Sequence, residues 1–361
     1  MNVTNETGTL KQVLLHRPGN ELKVLNEENK LHYLFDEIPN LDEAKNEHDL
    51  FAKLLIDEGI KVSYIEDLMA EVIKNKEIKE NFVKDYLREA NCRNEKIYNY
   101  LLSIEDEKQL VLKTMSGIEN KIEAMPNLYF TRDPFTIIGN GIALYHMHTN
   151  VRNREVIYGE YINKYHKDFN LTVLYNRKDK YEIEGGDVLI LDENTICVGI
   201  SERTSLDAAK LLAKNLLEKT NFKNVITLGF PKRRACMHLD TVMTKINNDT
   251  FSLYDEFYNE FNINIINEDG ITQTNDELKF VLSKLLNKDI KFIRSSRSSE
   301  QWNDAYNTLA VCPNKIVVYN INKTTNNEYI KNGIKLIQIP SKELLKGRGG
   351  AHCMSMPLIR E

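Results

Sequence analysis

The chain has 361 residues, of which 42% are hydrophobic and 28% charged, with a formal net charge of -5. It can bury a substantial core as one large domain or two ordinary ones. Lysine and glutamate are interspersed and no apolar run is long enough to span a bilayer, so we expect neither a nucleic-acid nor a membrane partner. The five scattered cysteines contain no CxxC motif, which argues against disulfides and predicts a cytoplasmic protein with reduced thiols.

The first 120 residues combine one strand-like stretch, residues 8–19, with helical patterns. Residues 40–43 (Asn-Leu-Asp-Glu) resemble a capping box that opens a helix running toward Gly59. From 66 to 120 the chain is rich in Lys, Glu, Leu and Ile, lacks proline and repeats its apolar residues at helical spacing. We predict that residues 66–120 form a helical insert carried by a β-rich scaffold.

Four later segments follow one plan, in which a polar residue leads into a strand, a tight turn and a second strand. The leading residues are Asp133, Asp187, Asp240 and Asn307. β-branched residues fill the strands, and Gly, Asn and Asp fill the turns, as hairpins require. Four or five such units could close around an axis and bring every leader to a common centre, with residues 8–19 as a divergent fifth unit. The alternative is that hairpins are simply common.

Cys353 follows a glycine-rich segment, Gly347–Gly350, near the C-terminus. We expect such a loop to give the cysteine the backbone freedom and exposure that a nucleophile needs. Arg348 could hold the sulfur as a thiolate. The sequence therefore predicts covalent catalysis by Cys353.

Three polar clusters precede Cys353, and each also has a purely structural explanation. His238 and Asp240 would share one face of a strand and could act as an acid/base pair, although such pairs are more often structural. Glu184 and Asp187 flank a diglycine that allows close backbone approach, or else form a solvated turn. Asp133 follows an arginine, an arrangement that is by default a surface ion pair, although the two flanking aromatic residues favour a partly buried site.

These clusters suit a planar cation. Carboxylates bind a guanidinium bidentately, and its resonance-stabilised carbon yields only to a strong nucleophile assisted by an acid. Cys236, His238 and Asp240 could form half of a metal site, but a second pair of ligands is missing. We therefore predict a guanidine-modifying enzyme with no metal.

Several motifs resemble the arginine deiminase family, in the same order along nearly the whole chain. The motifs are residues 6–19, 125–133 (Met-Pro-Asn-Leu-Tyr-Phe-Thr-Arg-Asp), 184–187, 201–204, 237–240 and 347–357 (Gly-Arg-Gly-Gly-Ala-His-Cys-Met-Ser-Met-Pro). The resemblance implies an α/β fold, a five-bladed pseudo-symmetric propeller of ββαβ-type repeats, forming a single catalytic domain over residues 1–361. It also implies hydrolysis of L-arginine to L-citrulline and ammonia through an S-alkylthiouronium intermediate, with no cofactor.

The resemblance also assigns the catalytic residues. Cys353 would be the nucleophile and His238 the general acid/base, supported by Glu184. Asp133 and Asp240 would hold the guanidinium.

Substrate binding is assigned to five further residues. Three would bind the α-carboxylate and backbone of arginine, namely Asn127, Arg152 and Arg203. Phe130 would pack on the substrate's stem, and Arg348 would cover the occupied site from a mobile loop.

The resemblance leaves alternatives open. Ala351-His352 stands where the family commonly has Pro-Arg, and the helical insert is shorter than is typical. The substrate could be methylarginine or agmatine, although agmatine lacks the carboxylate that Arg152 and Arg203 would bind. A silent arginine-binding paralogue is the alternative from another class. We also expect a homo-oligomer, either a dimer or a tetramer.

Overall fold

A computed structural model describes residues 1–361 of the chain. Its strands form five units that share one pairing scheme, in which the middle strand is antiparallel to the first strand and parallel to the third. The architecture is the predicted five-bladed α/β propeller. None of the helices combines the length and apolar character that crossing a membrane requires.

Four blades follow one another along the chain. Their strands are β3 Phe135–Ile138, β4 Gly141–Leu144 and β5 Thr172–Tyr175; β6 Val188–Ile190, β7 Thr195–Ile200 and β8 Asn224–Gly229; β9 Met243–Lys245, β10 Thr250–Tyr254 and β13 Lys291–Ser295; and β14 Leu309–Cys312, β15 Lys315–Tyr319 and β16 Lys335–Ile339. A hairpin, β11 Asn262–Asn267 and β12 Gly270–Thr274, extends the second blade to five strands.

The fifth blade contains the stretch 8–19, as predicted, and joins the two ends of the chain. Strand β1 (Leu10–Leu15) lies between β17 (Met356–Arg360), its antiparallel partner, and β2 (Lys61–Tyr64), its parallel partner. The first strand of this blade is therefore β17. Its leading residue is Cys353, which occupies the position that aspartate or asparagine occupies in the other four blades.

The helices pack outside the strands. They are α1 Leu41–Asp57, α2 Ile65–Val72, α3 Lys76–Glu89, α4 Glu95–Leu102, α5 Glu107–Ser116, α6 Asn150–Asn153, α7 Val156–Tyr165, α8 Leu206–Lys219, α9 Leu278–Leu286, α10 Ser298–Trp302 and α11 Lys323–Lys331. Asn40 caps α1 as predicted, since its side chain accepts from the N–H groups of Asp42 and Glu43. The N–H of Asn40 donates to Glu343 rather than to Glu43, so the capping box is not closed.

Helices α2 to α5 occupy the region predicted as an insert. Phe82, Tyr86 and Leu101 from these helices belong to the same buried cluster as Phe135 and Ile142 of the first blade. Burying these large apolar side chains together is the main force that holds the helices to the blades. The shared core supports a single domain over residues 1–361, and this division stays a prediction.

Candidate active site

The leading residues of the five blades meet at the centre of the propeller, where hydrogen bonds link each blade to the next. The Asp133 carbonyl accepts from the N–H of Gly185 at 3.0 Å, and Oδ1 of Asp187 accepts from the N–H of Leu239 at 2.8 Å. The closed ring of links explains why polar side chains from distant parts of the sequence lie close together.

The remaining links converge on Cys353. Nδ2 of Asn307 donates to the Asp240 carbonyl at 3.1 Å, and Oδ1 of Asn307 accepts from the N–H of Cys353 at 3.0 Å. The Cys353 carbonyl then accepts from the N–H of Arg132 at 3.1 Å, which returns the ring to the first blade. The backbone of the candidate nucleophile is thus held from both sides.

The environment of the Cys353 thiol differs from the expectation of an exposed thiolate. The residue is only 2% exposed, and its sulfur lies 3.0 Å from Nδ2 of Asn307 and 3.4 Å from Oδ2 of Asp240. Burial raises the pKa of Cys353 well above its usual value, and the charges of Asp240 and Asp133 raise it further. Burial and the neighbouring carboxylates therefore both favour the neutral thiol over the thiolate.

Asp240 is connected by hydrogen bonds to two further buried residues, His352 and Glu6. Nδ1 of His352 lies 2.8 Å from Oδ2 of Asp240, and Nε2 of His352 lies 3.2 Å from Glu6. Although burial opposes ionisation of both acids, Asp240 and Glu6 have lowered pKa values, because the hydrogen bond from His352 and, for Glu6, the charge of Arg132 outweigh it. His352 therefore links Asp240 to the interior.

His238 lies against a second carboxylate. Its Nε2 is 2.7 Å from Oε2 of Glu184 and its Nδ1 is 3.8 Å from Oδ1 of Asp133. Burial alone would lower the pKa of His238, but the charge of Asp133 and the hydrogen bond to Glu184 outweigh burial and raise it to about 9. The protonated imidazolium is thus the stable form at neutral pH.

The local structure that carries His238 differs from the predicted strand. Residues Leu239–Thr241 form a short 3-10 turn that precedes β9. His238 and Asp240 consequently reach different partners, Glu184 and His352. The diglycine acts as predicted, because a Cβ at Gly186 would come within 2.5 Å of Nδ1 of His238.

The two arginines expected to bind a carboxylate lie beside these acids. Nη1 of Arg152 donates to Oδ2 of Asp133 at 2.7 Å, and the rest of its guanidinium pairs with Glu155. Nη1 of Arg203 lies 3.6 Å from Glu184, while Nε and Nη1 of Arg203 have no hydrogen-bond partner although the residue is buried. Arg203 therefore has free donors at the site, whereas Arg152 is occupied.

Two predicted contacts with the substrate have clear positions. Nδ2 of Asn127 donates to the carbonyl of Tyr33 at 2.9 Å. The buried ring of Phe130 packs against Gly349, where any side chain would clash with it. Phe130 therefore touches the loop that leads to Cys353.

Arg348 does not hold the cysteine sulfur. Its guanidinium carbon lies 3.7 Å above the ring of Trp302, and its Nη2 donates to the carbonyl of Ala235 at 3.2 Å. Asp304, a buried acid nearby, has no partner for either carboxylate oxygen, and burial raises its pKa to about 7 although Arg348 acts against this. Arg348 thus anchors the loop on the surface side.

A metal ion is not favoured at this cluster. Asp133, Glu184 and His238 have donor atoms within 4.8 Å of one another, as three metal ligands would. Two guanidinium groups already face these carboxylates, Arg152 at 2.7 Å from Asp133 and Arg203 at 3.6 Å from Glu184. Their charge opposes a further cation there. Cys236, which the sequence placed with His238 and Asp240 in half of a metal site, packs in an apolar cluster.

Four residues that contact the site received no role from the sequence alone. They are Asn307, Arg132, His352 and Glu6. Asn307 carried a signal, because it occupies the leading position of its blade, and Arg132 adjoins the assigned Asp133. Glu6 carried none, since its partner His352 lies at the other end of the chain.

Comparisons with the sequences of known proteins show the family of the chain. The sequence model of the family described as arginine deiminase matches residues 32–122 and 96–360. Arginine deiminases of Clostridium perfringens (strain SM101 / Type A) and Streptococcus gordonii (strain Challis) are 40% and 39% identical to the chain, over all of it and 98% of their own lengths.

Solved structures share the fold at low sequence identity. The N-terminal domain of ArgZ, an arginine dihydrolase from cyanobacteria, superposes with a TM-score of 0.61 at 15% identity, covering 97% of each chain. A DDAH from Pseudomonas aeruginosa complexed with citrulline gives 0.60 at 13% identity, covering 96% of this chain and 99% of its own. With relatives matched along its full length, the chain belongs to the arginine deiminase family.

Proposed function

We propose that the protein hydrolyses L-arginine to L-citrulline and ammonia. The observation that carries this proposal is a buried thiol, Cys353, facing Asp240, with Asp133 and the His238–Glu184 pair beside it. Such an arrangement suits a substrate whose reacting carbon belongs to a cation. The relatives named arginine deiminase support the same substrate.

The substrate would bind with its guanidinium between Asp133 and Asp240. Oδ1 of Asp133 and Oδ1 of Asp240 have no hydrogen-bond partner, so each carboxylate has an acceptor to offer. The free donors of Arg203 suit the α-carboxylate of the substrate. Arg152 can bind the same α-carboxylate once the substrate's guanidinium has replaced Arg152 at Asp133. Asn127 and Phe130 would contact the substrate's backbone and stem, while Arg348 would close the site.

In the first half-reaction, the bound cation offsets the carboxylate field and makes the thiolate accessible. The thiol proton passes to Asp240, the acceptor at 3.4 Å, and the sulfur of Cys353 forms a bond to Cζ of arginine. His238, held protonated by Glu184 and Asp133, donates a proton to the departing nitrogen. The carbon–nitrogen bond breaks, and ammonia leaves an S-alkylthiouronium intermediate.

In the second half-reaction, water replaces the leaving ammonia. Neutral His238 accepts a proton from the water, whose oxygen bonds to Cζ. The carbon–sulfur bond then breaks, and Cys353 recovers its proton from Asp240. The hydroxyl proton of the adduct passes to solvent, where the ammonia released earlier takes it up as ammonium. No metal or cofactor takes part in the proposed reaction.

The experiment that tests the proposal measures citrulline and ammonia released from L-arginine, agmatine and methylarginine in parallel. Equal release of both products from arginine, lost in Cys353→Ser, is the expected result. Release of ammonia from agmatine or methylarginine, but not from arginine, would show that the proposed substrate is wrong. If no compound reacts but arginine binds, the protein is a silent arginine-binding paralogue.

Assembly and location complete the proposal. We propose a homo-oligomer, dimer or tetramer, which light scattering of the purified protein would test; a monomer at micromolar concentration would refute it. We also propose a cytoplasmic protein, supported by five cysteines that form no disulfide. Fractionation of the source cells would test this location.

A further inference from the structure

We propose that Asn307 is a further catalytic residue, whose Nδ2–H group stabilises the negative charge on the sulfur of Cys353. The inference rests on the proposed function, because this charge matters only if the sulfur attacks and later leaves. The distance between Nδ2 and Sγ is 3.0 Å, and both residues are buried. A buried hydrogen bond to a charged group is stronger than one between neutral groups.

The partners of the Asn307 side chain determine which end of the amide faces the sulfur. Its Oδ1 accepts from the N–H groups of Gly350 and Cys353, each at 3.0 Å, and only an oxygen can do so. Its Nδ2 faces the Asp240 carbonyl at 3.1 Å, which requires a donor. Nδ2 is therefore the atom beside Sγ.

The remaining surroundings of the sulfur make this donor valuable. Asp240 lies 3.4 Å from Sγ, and Asp133 and Asp304 also disfavour a negative charge there. Arg348, the nearest candidate cation by sequence, stacks on Trp302 instead. Asn307 is thus a neutral donor in a field of carboxylates.

The position of Asn307 in the repeat supports the same role. It leads the fourth blade, where three other blades have Asp133, Asp187 and Asp240. An aspartate at this position would keep the two backbone acceptor bonds but would replace the donor with a further carboxylate, in addition to those of Asp240, Asp133 and Asp304. Asparagine, which is isosteric with aspartate, can accept from the N–H groups of the loop and also donate to the sulfur.

Asn307→Asp is therefore the sharpest test. The variant keeps an oxygen for Gly350 and Cys353 but removes the donor to Sγ and to the Asp240 carbonyl. We therefore expect kcat for arginine to fall roughly 10- to 100-fold, with some loss of thermal stability, so that kcat is measured below the unfolding transition. We also expect the thiol to ionise at higher pH. Ultraviolet titration of the substrate-free protein, with Cys353→Ser subtracted in each background, measures this ionisation.

Asn40→Asp is the matched control. Its Oδ1 also accepts from two backbone N–H groups, both at 3.1 Å, but the side chain is exposed and far along the chain from the sulfur. It should change neither kcat nor the thiol titration. If Asn307→Asp shows the wild-type titration and a kcat within about twofold of wild type, the role of Asn307 is refuted. The titration needs no substrate, so a wild-type protein inactive on arginine would refute the proposed function alone.

Discussion

The sulfur of Cys353 lies 3.4 Å from Oδ2 of Asp240, the same oxygen that lies 2.8 Å from Nδ1 of His352. One carboxylate therefore connects the candidate nucleophile to a buried imidazole and, beyond it, to Glu6. In the free protein this arrangement opposes a thiolate. A cationic substrate between the carboxylates and the sulfur would reverse that effect, which couples activation of the thiol to binding of the correct charge.

Removing the charge of Asp240 should lower the pKa of the Cys353 thiol and also lower kcat/KM for arginine. Burial and the charge of Asp240 both raise the pKa of Cys353, so Asp240→Asn should lower it. The same variant loses a carboxylate for the guanidinium, so we expect kcat/KM for arginine to fall about 100-fold or more. Ultraviolet titration and citrulline release measure the two effects. Asp49→Asn, at an exposed pair with Arg17, is the control and should change neither.

The His238–Glu184 pair should stabilise the fold within a defined pH range. The pKa of His238 is raised from 6.5 to about 9, so its contribution is complete below about pH 6.5 and is lost as pH rises through about 9. The pKa of Glu184 is lowered from 4.5, because Arg203 and His238 outweigh burial, so its contribution is present above about pH 4.5.

Glu184→Gln should therefore reduce the free energy of unfolding most between these limits, by about 3 kcal/mol. Denaturant unfolding at pH 6 and above pH 9 measures the difference. Glu182→Gln is the matched control, since Glu182 pairs with His148 at the same 2.7 Å but in a half-exposed position. Loss of the Glu182–His148 pair should lower the free energy of unfolding by less than about 1 kcal/mol. A Glu184→Gln effect that does not shrink with rising pH would contradict the assignment.

His352 should matter more than a variable loop residue would. His352→Ala leaves Asp240 and Glu6 without their shared donor, so we expect a loss of about 3 kcal/mol in unfolding free energy together with reduced kcat. His352→Arg supplies hydrogen-bond donors to the same two carboxylates and should recover activity. His32→Ala, which removes an exposed pair with Glu123, should cost less than about 1 kcal/mol. An unaltered His352→Ala protein would show that this position is merely variable.

The diglycine before the second blade should tolerate no side chain. Gly186→Ala places a Cβ within 2.5 Å of Nδ1 of His238 and should displace the imidazole from Glu184, which we expect to lower kcat by about 100-fold. Gly229→Ala is the control, because its Cβ would meet neighbours only at 3.4 Å or more. Parallel measurement of kcat and thermal stability in both variants separates a catalytic effect from unfolding.

Arg203 should determine the specificity of the site for arginine over substrates that lack an α-carboxylate. Its unpaired donors suit the α-carboxylate, so Arg203→Ala should raise KM for arginine roughly 10- to 100-fold. The weak use of agmatine, if any, should not deteriorate in the same variant. Steady-state kinetics with both compounds measure this difference, and an unaltered KM for arginine would remove the assigned role. Arg234→Ala, at an exposed pair with Asp36, is the control.

Local patterns predicted the parts of the fold that depend on neighbours in sequence. The hairpins after Asp133, Asp187, Asp240 and Asn307 are present, because alternating apolar residues and turn residues act over a few positions. Residues 8–19 belong to the fifth blade as predicted, but their partner strand β17 was not identified, since β1 and β17 lie at opposite ends of the chain and no local pattern links them. Ring closure is a tertiary property.

The same distinction applies to the candidate site. The clustering of His238 with Glu184 agrees with the prediction, whereas the exposed thiolate beside Arg348 was wrong. Glycines near Cys353 describe the loop itself, while burial of the sulfur depends on Asn307 and Asp240 packing over it. The roles of individual residues stay predictions until the variants above are measured.

Pairing of β1 with β17 has a consequence for biosynthesis. Strand β1 (Leu10–Leu15) leaves the ribosome long before its antiparallel partner, β17 (Met356–Arg360), is made. Until then its edge has no antiparallel partner, and long-range pairing of this kind is slow and prone to misassembly. Cys353 lies just before β17, so the pairing of β17 with β1 also brings the sulfur into the site. A nascent chain would therefore lack its candidate nucleophile until β17 is paired.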